Sequence, residues 1–153
     1  MRQRPQASIE FEQALAQWEK TVDVPTLAGE IEAWCQEALT ELESVQAIFG
    51  RNLDGHEAEY SQILKADMGL APRVEELRAQ DGQLRRKLED VRAMLRRYAS
   101  RGSRPARTSE EPVAEAGALR ESILDFIVHC RAHEAELQTW LVESFYRDRG
   151  EGD

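Results

Sequence analysis

Three ionisable residues, His56, Asp81 and His133, interrupt helical seams that are otherwise apolar. One seam runs Val74, Leu77, Asp81, Leu84, Leu88, Val91, Leu95, Tyr98 in alternating steps of three and four. A second runs Leu119, Ile123, Phe126, Cys130, His133, Leu137, Trp140, and a third runs Ile31, Cys35, Ala38, Leu42, Val45, Phe49, Leu53, His56, Tyr60, Ile63. A carboxylate and two imidazoles on inward faces are costly unless paired, hydrogen-bonded or bound to an ion. As ligands they suit one borderline divalent ion, Fe(II) foremost, with Zn(II) the other candidate. As a metal-free set they form a His–Asp polar layer that fixes helix register. Glu59, Tyr60, Glu134 and His129 are lesser candidates: Tyr60 lies one turn from His56, Glu59 and Glu134 could lean in, and His129 sits beside its seam.

Chain counting predicts that the three residues share one layer. Met68-Gly69-Leu70-Ala71-Pro72 reads as a tight turn between helices, with glycine to stop and proline to restart. His56 lies about as far before that turn as Asp81 lies after it, and His133 falls within roughly a turn of the same height. The elements that position them are four helices. The first follows Ser8, read as an N-cap, and carries Phe11, Leu15, Trp18 and Val22. It looks too short to reach the layer. The second starts near Leu27, capped by Thr26, and runs to about Ala66; the glycines of Gly50-Arg51-Asn52-Leu53-Asp54-Gly55 mark either a bend or a break with Asp54 as a new cap. The third runs from about Arg73 to Ala99 and the fourth from about Ala114 to Arg147. This predicts an all-α, antiparallel up-down-up-down four-helix bundle over residues 8–149, after a tail at 1–7 and with a mobile linker at 100–113.

The 153 residues fit one domain, with 29 Asp and Glu against 20 Lys and Arg. The acidic balance disfavours a nucleic-acid or anionic-membrane partner. Met1-Arg2-Gln3-Arg4-Pro5 lacks the apolar core of a signal sequence and no run approaches a membrane span, so the expected location is cytoplasmic. Cys35 and Cys130 read as small buried hydrophobes, and Trp18, Trp34 and Trp140 as core aromatics. Arg96, Arg97, Arg101, Arg104 and Arg107 make a local basic stretch, read as solvated charge.

The chain resembles the hemerythrin-like, or HHE cation-binding, family over most of residues 27–150. The resemblance is carried by His56-Glu57-Ala58-Glu59 with Gly69 through Asp81, and by His133-Glu134-Ala135-Glu136 with Glu143 through Gly150. It implies a four-helix bundle around a non-haem di-iron centre that binds O2 or senses oxygen, nitric oxide or iron. His56 and His133 match family histidines of the second and last helices, but Tyr60 and Leu137 stand where carboxylates would follow them. Asp81 stands where the third helix offers a histidine, and the first helix offers none. With three histidines in the whole chain, a complete centre of that kind cannot form.

Two functions follow as expectations. The first is a hemerythrin-like domain that has lost most di-iron ligands and acts as a non-enzymatic interaction or regulatory module, with an unidentified protein partner or a second copy of itself. The second is a mononuclear Fe or Zn protein that senses or responds to oxygen or nitric oxide through His56, Asp81 and His133. An enzyme has less support, because no nucleophile–base pair, phosphate loop or substrate motif is visible.

Overall fold

The computed structural model describes residues 4–100 and 111–150, and only the backbone at 28, 111–112 and 148–150. It is an all-α four-helix bundle: α1 (Gln6–Val22), α2 (Ile31–Ala66), α3 (Ala71–Ala99) and α4 (Glu111–Gly150). Polar contacts give the relative directions. Glu10 pairs with Arg51 and Gln17 with Glu41 between α1 and α2. Gln46 pairs with Glu89 and Glu57 with Arg78 between α2 and α3. Lys87 pairs with Asp125 and Gln80 with Glu136 between α3 and α4. Rising numbers on one helix meet falling numbers on the next, which is the pairing of antiparallel neighbours. Between α2 and α4 the numbers ascend together, Asn52 with Glu134 and Glu59 with Gln138.

Several boundaries differ from expectation. The helix of α1 begins at Gln6, so the expected tail contributes its last residues to the bundle, and Pro5 rather than Ser8 is the N-cap. Ser8 instead extends the buried seam Ser8, Phe11, Leu15, Trp18, Val22 by one step. A 3-10 turn, Ala28–Glu30, precedes α2, and Thr26 does not cap it; its hydroxyl donates back to Val24 O. The α2 helix runs unbroken through Gly50–Gly55. Burial of Phe49 before this stretch, Leu53 within it and His56 after it holds it helical against the glycine penalty. The turn into α3 is a 3-10 turn, Met68–Leu70, in which the Asp67 carboxylate accepts from the Gly69 amide at 2.8 Å, and Pro72 falls in the first turn of α3. Residues 111–113 of the expected linker are already helical; its stretch 101–110, with Arg101, Arg104 and Arg107, lies outside the described residues.

A methyl group added at Gly50 or Gly55 would meet nothing within 4 Å. Gly50→Ala and Gly55→Ala are each expected to stabilise the protein by up to about 1 kcal/mol, because alanine loses less backbone entropy in a helix. A higher urea midpoint for each variant checks this; a lower one would mean that α2 needs glycine freedom there.

The apolar core is in two parts. The larger gathers Phe11, Leu15, Trp18, Leu42, Phe49, Leu88, Ile123 and Phe126 with their neighbours. Its rings chain together: Phe11 to Phe49 at 5.5 Å, Phe49 to Phe126 at 5.8 Å and Trp18 to Phe126 at 6.1 Å between centroids. The smaller holds Tyr60, Ile63, Leu70, Val74, Leu77, Leu137 and Leu141 beside the α2–α3 turn. Cys35 and Cys130 are buried free thiols, Trp18 and Trp34 are core residues, and Trp140 is half-buried under Arg73. No helix among the described residues is long and apolar enough to cross a membrane. What separates the two apolar clusters is a layer of polar side chains.

Candidate metal centre

Asp81, on α3, is the hub of that layer. Its Oδ1 accepts from His56 Nδ1 at 2.9 Å and from His133 Nε2 at 2.7 Å, and its Oδ2 accepts from the Tyr60 hydroxyl at 2.7 Å. His56 and His133 are 1% and 4% exposed, so both imidazoles are out of water. Each has a second nitrogen, and each of those is held too. His56 Nε2 donates to Glu134 Oε1 at 2.6 Å, and His133 Nδ1 donates to the side-chain carbonyl of Gln80 at 2.7 Å. The Gln80 amide then donates to Glu136 at 3.2 Å, which fixes its orientation.

Glu134 is anchored in turn. Asn52 donates to its Oε1 at 2.7 Å, and the Ser8 hydroxyl of α1 donates to its Oε2 at 3.2 Å. Arg4 donates to the Ser8 oxygen at 3.2 Å. All four helices therefore contribute, and the expectation that α1 falls short of the layer is overturned: because α1 starts three residues earlier, at Gln6 rather than after Ser8, its first turn covers Glu134.

The electrostatics follow from burial and pairing. Burial alone would lower the basicity of His56, but two carboxylates outweigh it and push its pKa up from 6.5 to about 9. For Asp81, burial acts to raise the pKa, yet the bonds from His133, His56 and Tyr60 hold it well below the usual carboxylate range. Glu134 is likewise held low, against burial, by His56 and Asn52. Burial first, and then the Asp81 carboxylate, push the Tyr60 phenol far up, so it stays protonated as a donor.

His56, Asp81 and His133 can each turn one ligand atom toward the others, all within 4.8 Å of one another, so the group could hold one metal ion. Ligand atoms sharing an ion at about 2.0–2.2 Å stand roughly 3–4 Å apart, so the widest pair would draw together on binding. A di-iron set does not fit, since the third histidine, His129, is exposed at the edge between α3 and α4, against Lys87 and Asp125. Among the lesser candidates, Tyr60 joins the cluster and Glu134 stands behind it on His56. Glu59 is buried but receives Gln138 instead, at 3.4 Å.

Sequence reading missed Ser8, Asn52 and Gln80. Ser8 and Asn52 did carry a signal: each continues its seam by a step of three, Ser8 to Phe11 and Phe49 to Asn52. Gln80 carried none, being off the seam and beside Asp81.

Fold and side chains together define an all-α four-helix bundle with a buried His–Asp–His cluster braced by a glutamate and a glutamine. No family model, curated protein or solved structure matches the chain.

Proposed function

We propose that the chain is a hemerythrin-like metal-binding protein in which a di-iron centre is reduced to a site for a single first-row ion. His56 Nδ1, His133 Nε2 and the Asp81 carboxylate would be its protein ligands. One observation carries this reading: the nitrogen of each imidazole that faces away from Asp81 is held by an acceptor, Glu134 for His56 and Gln80 for His133. Metal-bound histidines typically have this arrangement, in which the outer acceptor fixes the tautomer and makes the inner nitrogen a better ligand.

The residues divide the work. Glu134 and Gln80 set the two ring orientations, while Asn52 and Ser8 hold Glu134 so that it cannot swing inward. The apolar clusters on either side exclude water and keep the local dielectric low. A bound ion would supply Lewis acidity and, as iron, a one-electron couple, the chemistry of a sensor for oxygen, nitric oxide or iron.

Metal content tests the proposal. Protein purified anaerobically from iron- and zinc-supplemented cells is expected to carry about one ion per chain by mass spectrometry, and His133→Ala to lose it. Less than about a tenth of an equivalent in the parent protein would reject the metal function.

A second reading has an observation of its own. His56 already sets both nitrogens against carboxylates, so the layer satisfies itself without an ion. A metal-free protein would then be a non-enzymatic interaction or regulatory module whose polar layer fixes helix register.

A further inference from the structure

Tyr60 is the one layer residue whose hydroxyl has no assigned task in holding the imidazoles. It is 0% exposed, and it follows His56 by one turn of α2, so the two side chains share a face with ring centroids 6.0 Å apart. Its Oη lies 2.7 Å from Asp81 Oδ2 and 3.5 Å from His133 Nε2, inside the cluster of candidate ligand atoms. The ring itself is packed in the smaller apolar cluster, which keeps the hydroxyl aimed at Asp81. On its outer face the Arg78 guanidinium lies 5.7 Å from the ring centroid, a cation–π contact that helps to hold the ring in place.

Building on the single-ion reading above, we propose that Tyr60 is the fourth ligand of this site, and that the resulting set of two imidazoles, a carboxylate and a phenolate takes a hard trivalent ion, iron(III) foremost. The donor set is the first reason. Anionic oxygen ligands favour hard, highly charged ions, whereas zinc is as well served by the imidazoles alone. Charge balance is the second. Asp81 and Glu134 together carry two negative charges, which a divalent ion offsets while the phenol keeps its proton. A phenolate adds a third, which a trivalent ion offsets. In a layer this buried, an uncompensated charge is expensive, so ion charge and the Tyr60 proton go together. On ligation the iron–oxygen bond forms as the O–H bond breaks, the proton passes to solvent and no electron is transferred.

The experiment titrates the full chain with iron(III) nitrilotriacetate and, separately, with zinc(II). Iron(III) is expected to produce a visible phenolate-to-iron charge-transfer band with resonance-enhanced tyrosine ring modes. Tyr60→Phe, checked for helicity by circular dichroism, is expected to lose the band and to reduce the preference for iron(III) over zinc(II) at least tenfold. Iron bound without phenolate modes in the parent protein, or with a band that survives in Tyr60→Phe, would overturn the Tyr60 assignment and leave the single-ion reading standing. Failure of the parent protein to bind either ion would overturn both. Should Tyr60→Phe not fold, the Raman spectrum of the parent protein decides alone. Of the other two tyrosines, Tyr98 packs against the larger apolar cluster and Tyr146 is 66% exposed on the surface, so Tyr146→Phe is the control and should leave the band unchanged.

Discussion

Asp81→Ala is expected to destabilise the chelator-treated protein by about 3–5 kcal/mol, the cost of breaking a buried ionic network by removing one partner. The size follows from what the carboxylate does. It accepts from three buried donors at once, at 2.7 to 2.9 Å: His56, His133 and Tyr60. The Tyr60 hydroxyl and His133 Nε2, 3.5 Å apart, have only each other as a substitute, and His56 Nδ1 has none among the contacts of the layer. His56 keeps Glu134 on its other nitrogen and His133 keeps Gln80, but the inner nitrogen of His56 would face a methyl group, and the phenol and His133 would exchange a 2.7 Å charged acceptor for a long contact with each other. Urea unfolding followed by helicity gives the measurement. A lower midpoint at unchanged m-value reports a pure stability loss. Asp81→Asn is the control: it keeps one acceptor oxygen, but it loses the charge and sets an NH2 donor where the second oxygen accepted. It should fall between Asp81→Ala and the parent protein. A loss below about 1 kcal/mol for Asp81→Ala would mean that water takes the place of the carboxylate, and that the layer is wetter than its burial implies.

That network also marks how far the sequence could be read. The four helices and their buried seams were visible because alternating steps of three and four report which face of a helix is buried, and this depends only on residue type and order. The shared height of His56, Asp81 and His133 was visible because the α2–α3 turn is tight and helical rise is uniform. Periodicity, however, gives a face and not a rotamer. Glu134 follows His133 directly, about 100° around the helix, and nothing in its spacing shows that the side chain folds back to His56. Ser8 was misread for a different reason. Serine before an apolar run suits both an N-cap and a small polar core position, and only the presence of Glu134 opposite makes it the second. The length of α1 was underestimated by the same error, and with it the reach of the first helix into the layer. The unbroken α2 illustrates tertiary override: two glycines weaken the helix locally, but Phe49, Asn52, Leu53 and His56 are all buried around them.

The metal-free protein is expected to lose stability as pH rises from about 6.5 to about 9, by no more than about 3 kcal/mol. The sign follows from the direction of the shift. The pKa of His56 is higher folded than unfolded, so the folded state holds its proton more tightly, and the contribution is complete below 6.5. Between 6.5 and about 9 the unfolded chain has lost that proton while the folded one retains it, so each step in pH favours unfolding. Above about 9 the contribution is gone. Asp81 and Glu134 act in the opposite direction and in a separate window: their lowered pKa values stabilise the fold above the ordinary carboxylate range and lose that effect as pH falls through it. The stability of the metal-free protein should therefore peak between about pH 5 and 6.5, on the acid side of neutrality. Thermal or urea unfolding in chelator across pH 4 to 10 supplies the curve, and His56→Gln should flatten its alkaline limb. A bound ion changes the same limb. Ligation needs the inner nitrogen of His56 without its proton, so a saturating ion replaces the proton and its stabilisation should grow with pH. An alkaline limb that is steep in chelator and shallow with iron or zinc would place proton and ion at the same nitrogen. One that is flat in both conditions would mean that His56 is neutral in the folded protein and that its two carboxylates do not hold it charged.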